Sequence, residues 1–230
     1  MPLLLCIINE GCQFSLCHST HLAIPLENKM PKHPESCALL CYAIRNKRLR
    51  GHFMKYFVAS DIHGDSYWAQ RVIDAFLSSG ADKLVLLGDI LYHGPRNDLP
   101  SHYEPKKVIG ILNNYADKIL AVRGNCDTEV DQMVLKFPIM ADYIYLVDEG
   151  TVFFVTHGHV YNPMNLPSVM PEDAILLTGH THVAGDIIWD YEDGRKIRYM
   201  NPGSPSIPKE DTKPSYIIIE NGKAELIPFE

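Results

Sequence analysis

From Met54 onward the apolar and polar positions fall into blocks that read as strand, helix, strand. Tyr56-Phe57-Val58-Ala59 is an apolar run that stops at Ser60-Asp61. Beyond it Trp68, Val72, Phe76 and Leu77 recur at helical spacing and Gly80 supplies a stop, so a helix follows the strand. Residues 83–87 form a second apolar run, ending at Gly88-Asp89. After a loop rich in Gly, Pro and Asn, Pro105 opens a helix that carries Val108, Leu112 and Tyr115, and residues 119–122 make a third strand ending at Gly124-Asn125. This β-α-β-α-β order predicts parallel strands, whose carboxyl-end loops gather on one edge. The second half is strand-rich, with runs at 143–147, 152–156, 174–177, 183–189, 196–200, 216–219 and 224–227. Asp148-Glu149-Gly150 and Glu220-Asn221-Gly222-Lys223 read as hairpin turns between neighbouring runs. The pattern predicts two sheets packed face to face with helices outside.

Residues 1–53 show neither period, and the texture changes at Met54. We expect an N-terminal extension over 1–53, either poorly ordered or translated from a start assigned too early, and one domain over 54–230. Five of the six cysteines lie before Met54, which leaves Cys126 alone in the patterned region and excludes a disulfide framework there. The Cys and His of the extension match no structural zinc spacing. No apolar run approaches the ~18–20 residues that span a bilayer, and Met1–Ile8 lacks the basic start of a secretory signal. The expectation is a cytoplasmic protein without a membrane partner.

Charge narrows the partners. Residues before Met54 hold six Lys/Arg against three Asp/Glu, which leaves 15 against 25 in the rest, a balance of −10 with His neutral. Such a surface repels a nucleic-acid backbone, so long DNA or RNA is not expected as a partner. A small phosphate ester remains admissible. Exposed sheet edges of a small sandwich can pair, which allows a homo-oligomer.

The polar residues at the strand ends carry the chemistry. In order they are Asp61-x-His63, Gly88-Asp89, Gly124-Asn125, His157-Gly158-His159 and Gly179-His180-Thr181-His182. Mixed oxygen and imidazole donors suit manganese, zinc, iron or nickel better than magnesium or calcium. In extended chain the two side chains of Asp-x-His or His-x-His point the same way and can reach one ion or two adjacent ones. Glycines beside the ligands are expected to let the backbone come close to the metals. Each motif alone is weak: a Gly-Asp turn is commonplace and a buried His is more often structural. Five in this order, each on a strand end, make a coherent site.

These motifs resemble the calcineurin-like metallophosphoesterases, whose signature is D-x-H, G-D, G-N-H-[DE], H and G-H-x-H, and the resemblance covers Met54 to about Ile227. Gly88–Asn97, Val122–Asp127, Gln132-Met133, Thr156–His159 and Asn201-Pro202-Gly203-Ser204 look like the small bacterial YfcE-type phosphodiesterases of that superfamily. The resemblance implies an α/β protein, a four-layer α/β/β/α sandwich of two mixed sheets. It implies two divalent metal ions, manganese foremost, with zinc, nickel or iron admissible. One ion is held by Asp61, His63 and His182, the other by Asn125, His157 and His180, and Asp89 bridges them. It implies in-line attack of a dimetal-bound hydroxide on a small phosphodiester.

The sequence departs from the superfamily at one place: Cys126 stands where most members have His after Gly-Asn, as in the YfcE-type branch. A thiol is a weak general acid, which points to esters of acidic alcohols or phenols. Asp127 is either a support for the Asn125 loop or a plain turn residue. Arg96, with Asn97, either clamps a substrate phosphate or forms a surface salt bridge. Arg123 reads as structural, His93 and His159 as candidate substrate contacts, and Trp68 and Phe76 as core. The catalytic set is thus Asp89, Asn125, Cys126, Asp127 and Arg96. Three rival functions use the same fold: a phosphomonoesterase on the same metals, a nuclease, which the acidic balance argues against, and a non-catalytic protein-binding scaffold or metal sensor. The filled ligand positions argue against a scaffold.

Overall fold

The computed structural model describes residues 54–230, and the expected extension over 1–53 lies outside them. β1 (Tyr56–Ala59), β2 (Lys83–Leu86) and β3 (Ile119–Ala121) pair in parallel, with Val58 beside Val85 and Val85 beside Leu120. β9 (Ser215–Glu220) and β10 (Lys223–Pro228) complete this sheet antiparallel, in the order β10-β9-β1-β2-β3. The second sheet has the order β4-β5-β6-β8-β7, built from β4 (Tyr143–Asp148), β5 (Thr151–Thr156), β6 (Ile175–Leu177), β7 (Gly185–Asp190) and β8 (Lys196–Asn201). Its three central strands β5, β6 and β8 are parallel, and the two edge strands are antiparallel to their neighbours.

Period-two side-chain alternation assigns the two faces of β1. Phe57 and Ala59 pack with the helices, whereas Tyr56 and Val58 enter the core between the sheets with Phe153, Val155, Leu177 and Met200. A central strand buried on both faces must be apolar throughout, which is why its sequence is a run and not an alternation. The hairpins close as expected: Glu149-Gly150 and Asn221-Gly222 have positive φ at both central positions (45° and 83°, 54° and 71°). That is the turn whose twist matches the flanking strands.

α1 (Ser66–Ser79) and α2 (Pro105–Asn113) contribute Ala69, Val72, Ile73, Phe76, Val108 and Leu112 to the core outside the first sheet. The Asp65 carboxylate caps α1 by accepting the Trp68 N–H at 2.9 Å, and Gly80 ends it at φ 68°. The buried face is centred on Ala69, Val72, Ile73 and Phe76, so two residues read as part of it fall at its margins. Leu77 is 47% exposed, and Trp68 is half-buried against the Phe229 ring. Phe76 is fully buried, as expected.

A third helix, α3 (Glu129–Val134), has no counterpart in the hydrophobic pattern. The Thr128 N–H and hydroxyl both donate to the Asp131 carboxylate, at 2.7 and 2.9 Å, which starts the helix without an apolar face. Over the second sheet the outer layer is not helical. Phe154, Leu176 and Ile197 are covered by Tyr161, Leu166 and Met170 from the helix-free stretch 158–174. No helix among the described residues is long and apolar enough to cross a membrane.

Candidate metal centre

Parallel β1, β2 and β3 release their loops on one edge of the first sheet, and parallel β5 and β6 release theirs on one edge of the second. Asp61, His63, Asp89, Asn125, His157, His180 and His182 all lie in these loops. The side chains converge in two groups, with a third set of donors, His63, Asp89 and Cys126, overlapping both. Single donor atoms of Asp61, His63 and His182 lie within 4.8 Å of one another, as do those of Asp89, His157 and His180. Asp89 Oδ2 stands between the groups, 3.7 Å from His63 Nε2 and 3.5 Å from His157 Nε2. Asn125 belongs with the second group, its Oδ1 3.1 Å from His157 Nε2, although Asn125 itself is exposed at the mouth.

The convergence does not come from extended chain, and the expected reason is corrected here. Asp61, His63, Asp89, His180 and His182 have φ between 50° and 67°, the left-handed region. Extended chain would have pointed Asp61 and His63 the same way, but it would also have continued the strand past the sheet edge. The left-handed residues turn the chain back, so Asp61, His63 and Gly64 donate their N–H groups to the carbonyls of Gly88, Asp89 and Ile90. For the same reason β7 starts at Gly185 and not at residue 183.

The glycines permit a close approach of loop to loop. A Cβ on Gly88 would overlap the Gly124 amide, and one on Gly124 would overlap the Asp89 carboxylate. Asp127 ties the same two loops together: its carboxylate accepts the N–H groups of Asp89 (2.8 Å), Ile90 (2.9 Å) and Gly124 (2.8 Å). It is therefore a support for the site, beyond a turn residue. Burial pushes its carboxyl up to about 6 against the pull of those N–H groups.

The imidazoles are oriented by backbone carbonyls. His63 Nδ1 meets Tyr92 O at 2.8 Å, His157 Nδ1 meets Leu87 O at 2.7 Å, and His182 Nδ1 meets Ile207 O at 3.1 Å. A carbonyl only accepts, so each Nδ1 carries a hydrogen, and in the neutral imidazole each Nε2 turns a lone pair into the centre. His63 Nε2 and His182 Nε2 then face each other at 3.0 Å, and Asp61 Oδ1 lies 3.5 and 3.3 Å from them, buried and without a hydrogen-bond partner. Two lone pairs and an orphaned carboxylate oxygen at these separations repel unless a cation lies among them. The spacing suits neighbouring ligands about 2.1 Å from one ion. These residues therefore fit divalent metal.

The buried carboxylates draw positive charge to this place. Burial raises the Asp61 carboxyl, but the imidazoles of His157, His182 and His63 overcome it and hold Asp61 well below the usual carboxylate range. Against the effect of burial, Asp61 and Asp89 push His157 up to about 9, while burial and His157 press His180 down to about 4. Burial, followed by Asp89, pushes the Cys126 thiol above its ordinary range. Its Sγ accepts from Asn125 Nδ2 at 3.2 Å.

Not every candidate joins the centre. Arg96 is exposed and makes neither a hydrogen bond nor an ion pair with any described residue. His159 is exposed, its ring 5.3 Å from that of His157. The His93 ring packs edge-on against Tyr92 and Tyr103, with Nδ1 buried and unpartnered. Sequence reasoning passes over the supporting groups. The carbonyls of Leu87, Tyr92 and Ile207 leave no side-chain signal. Asn201 and Ser204 carry one, since Asn201 ends β8 and Ser204 lies just beyond it, in the Asn201-Pro202-Gly203-Ser204 segment that resembles the YfcE-type proteins.

Comparison with known proteins places the chain. Residues 54–223 match the calcineurin-like phosphoesterase superfamily domain. Phosphodiesterase YfcE of Escherichia coli strain K12 is 47% identical over 174 residues, which are 76% of this chain and 91% of that protein. The solved structure of YfcE, a phosphoesterase from E. coli, superposes with a TM-score of 0.67 at 48% identity, over 73% of this chain and 89% of that one. An archaeal phosphodiesterase shares the fold at 19% identity, with a TM-score of 0.51 over 76% of this chain and 99% of its own. The chain belongs to the calcineurin-like phosphoesterase superfamily and is a phosphoric ester hydrolase.

Proposed function

We propose that this chain is a metal-dependent phosphodiesterase that hydrolyses small phosphodiesters at a dinuclear centre, with residues 54–230 as its catalytic domain. The observation that carries the reading is Asp89 Oδ2 standing between two groups of inward-facing donors, 3.7 Å from His63 and 3.5 Å from His157. Asp61, His63 and His182 would hold one divalent ion, Asn125, His157 and His180 the other, and Asp89 both. Mixed oxygen and imidazole donors suit manganese, zinc, nickel or iron, and the family resemblance puts manganese foremost. When bound, the ions supply charge that polarises the phosphoryl group and make water acidic enough to attack it.

The protein's own part is position and field. The carbonyls of Tyr92, Leu87 and Ile207 hold the imidazoles, and Asp127 holds the Asp89 and Asn125 loops at a fixed separation. Arg96, without a partner among the described residues, would meet a substrate phosphate from the loop after β2. Beside Asn125 the leaving group meets a thiol and not an imidazole, so esters of phenols and acidic alcohols suit the site better than alkyl esters. The excess of acidic residues from Met54 onward supports a small substrate over a nucleic acid. The 47% identity to a protein named as a phosphodiesterase supports diesters over monoesters.

The test is hydrolysis of an aryl phosphodiester, an alkyl phosphodiester and an aryl monoester by metal-stripped protein given manganese, nickel, zinc or magnesium. Aryl diester cleavage restored by manganese is expected, with Asp89→Ala lowering it by more than about 100-fold, beyond what loss of an outer partner causes. A faster monoester would make the chain a phosphomonoesterase. Metal binding without turnover of any ester would make it a scaffold or sensor.

A further inference from the structure

The Asn201-Pro202-Gly203-Ser204 turn takes no part in the chemistry described so far, yet it is built into the centre from behind. Asn201 and Ser204 are both fully buried. Asn201 Oδ1 accepts the Gly203 N–H at 2.7 Å, which folds the turn and delivers Ser204 to its far end. Gly203 is required there, because φ is 72° and a Cβ would press on the Ala184 backbone. Asn201 Nδ2 donates to Gly179 O at 2.8 Å and to Thr181 Oγ1 at 3.0 Å, the residues that flank His180. Ser204 Oγ donates to Asp61 O at 2.7 Å and accepts the Ile207 N–H at 3.0 Å, and Ile207 O in turn orients His182. Ser206 Oγ adds a second, longer bond to Asp61 O at 3.2 Å.

We infer that Asn201 and Ser204 are positioning residues that set the separation of Asp61, His180 and His182, and thereby the affinity of the centre for metal. The inference rests on the metal-centre reading above. All three side chains stand on residues with left-handed backbone, a conformation that costs about 1–2 kcal/mol for a residue with a Cβ. The hydrogen bonds fall on the peptides where that strain sits: the Asp61 carbonyl, the carbonyl just before His180, and the ring of His182. Releasing the Asp61 peptide lets its φ relax and swings the orphaned Oδ1 out of the triangle it forms with His63 and His182. Asp127 serves the Asp89 and Asn125 loops in the same way, so the centre is held from two sides by separate side chains.

Manganese titration calorimetry of the metal-stripped full chain tests this, with the visible spectrum of the cobalt-loaded protein as a second readout. Ser204→Ala is expected to weaken manganese binding by about 10–100-fold, the loss typical for removal of a ligand's outer partner. It should also shift the cobalt bands, while the far-ultraviolet dichroism of the metal-free protein stays that of the wild type. Ser206→Ala, which removes the longer bond to Asp61 O and a 3.3 Å contact with Ser204 Oγ but keeps the Ser204 hydroxyl on Asp61 O, is expected to lower affinity less than Ser204→Ala. Unchanged affinity and spectrum in a folded Ser204→Ala protein would overturn the inference. Should that variant not fold, Asn201→Asp carries the same readouts, since it keeps the acceptor for Gly203 and loses the donors to the His180 loop. Absence of manganese binding by the wild type would instead remove the metal centre itself, and the brace with it.

Discussion

At the scale of single residues, the centre is a set of side chains whose backbones are held where they would not rest alone. Five of the seven ligand candidates have positive φ, and glycines beside them carry the close contacts that result. Gly124 is the sharpest case, because a Cβ there would occupy the place of the Asp89 carboxylate. Gly124→Ala is therefore expected to displace the carboxylate shared between the two donor groups, lowering manganese-dependent aryl diester hydrolysis more than about 100-fold with little change in far-ultraviolet dichroism. Steady-state kinetics on the metal-loaded variant measures this. The identity and order of the donors were legible in the chain because aspartate, histidine and asparagine are rare at the ends of apolar runs without a reason to be there. The backbone conformation was not legible, since even Asp and His, which take φ near 60° more often than other residues with a Cβ, do so at only a small fraction of positions. Only the hydrogen bonds from neighbouring loops reveal what keeps them there.

At the scale of elements, local chemistry explains most of what formed. The Gly80 stop and the two hairpin turns are each visible as residue types and fulfil the expected role, and Asp65 adds a cap at the start of α1. Gly150 isolates the conformational part of such a signal, because a Cβ there meets nothing within 4 Å while φ is 83°. Gly150→Ala is expected to destabilise the domain by about 1–2 kcal/mol through backbone conformation alone. It should lower the urea midpoint at unchanged denaturant slope, without affecting metal binding. Elements with weak local signals escaped. α3 presents Val130 and Met133 to solvent, so it has no buried stripe to announce it, and its start depends on an Asp131 that reads as an ordinary turn residue.

At the scale of the whole molecule, the two sheets are what bring Asp61, Asp89 and Asn125 from one edge to His157, His180 and His182 from the other. A cation shared by both groups binds only when the sheets are packed, so it must stabilise the folded state. At a concentration of free manganese a hundredfold above the dissociation constant, the gain is about 2.7 kcal/mol. For a domain of this size that is expected to raise Tm by about 5–10 °C over the protein in chelator. Differential scanning calorimetry would read the shift, and an equal Tm in both conditions would count against the centre.

The chain's own order of residues determined the elements, the edge on which the loops gather and the types of the donors. Those follow from periodicity, turn chemistry and the rule that parallel strands release their loops together. The packed structure alone decided which atoms meet. Asp89 between His63 and His157, three imidazoles turned by carbonyls far away in the chain, and Asn201 and Ser204 behind Asp61 and His180 are all contacts across many residues. Their partners are often backbone groups, which every residue carries alike, so no side-chain pattern could announce them.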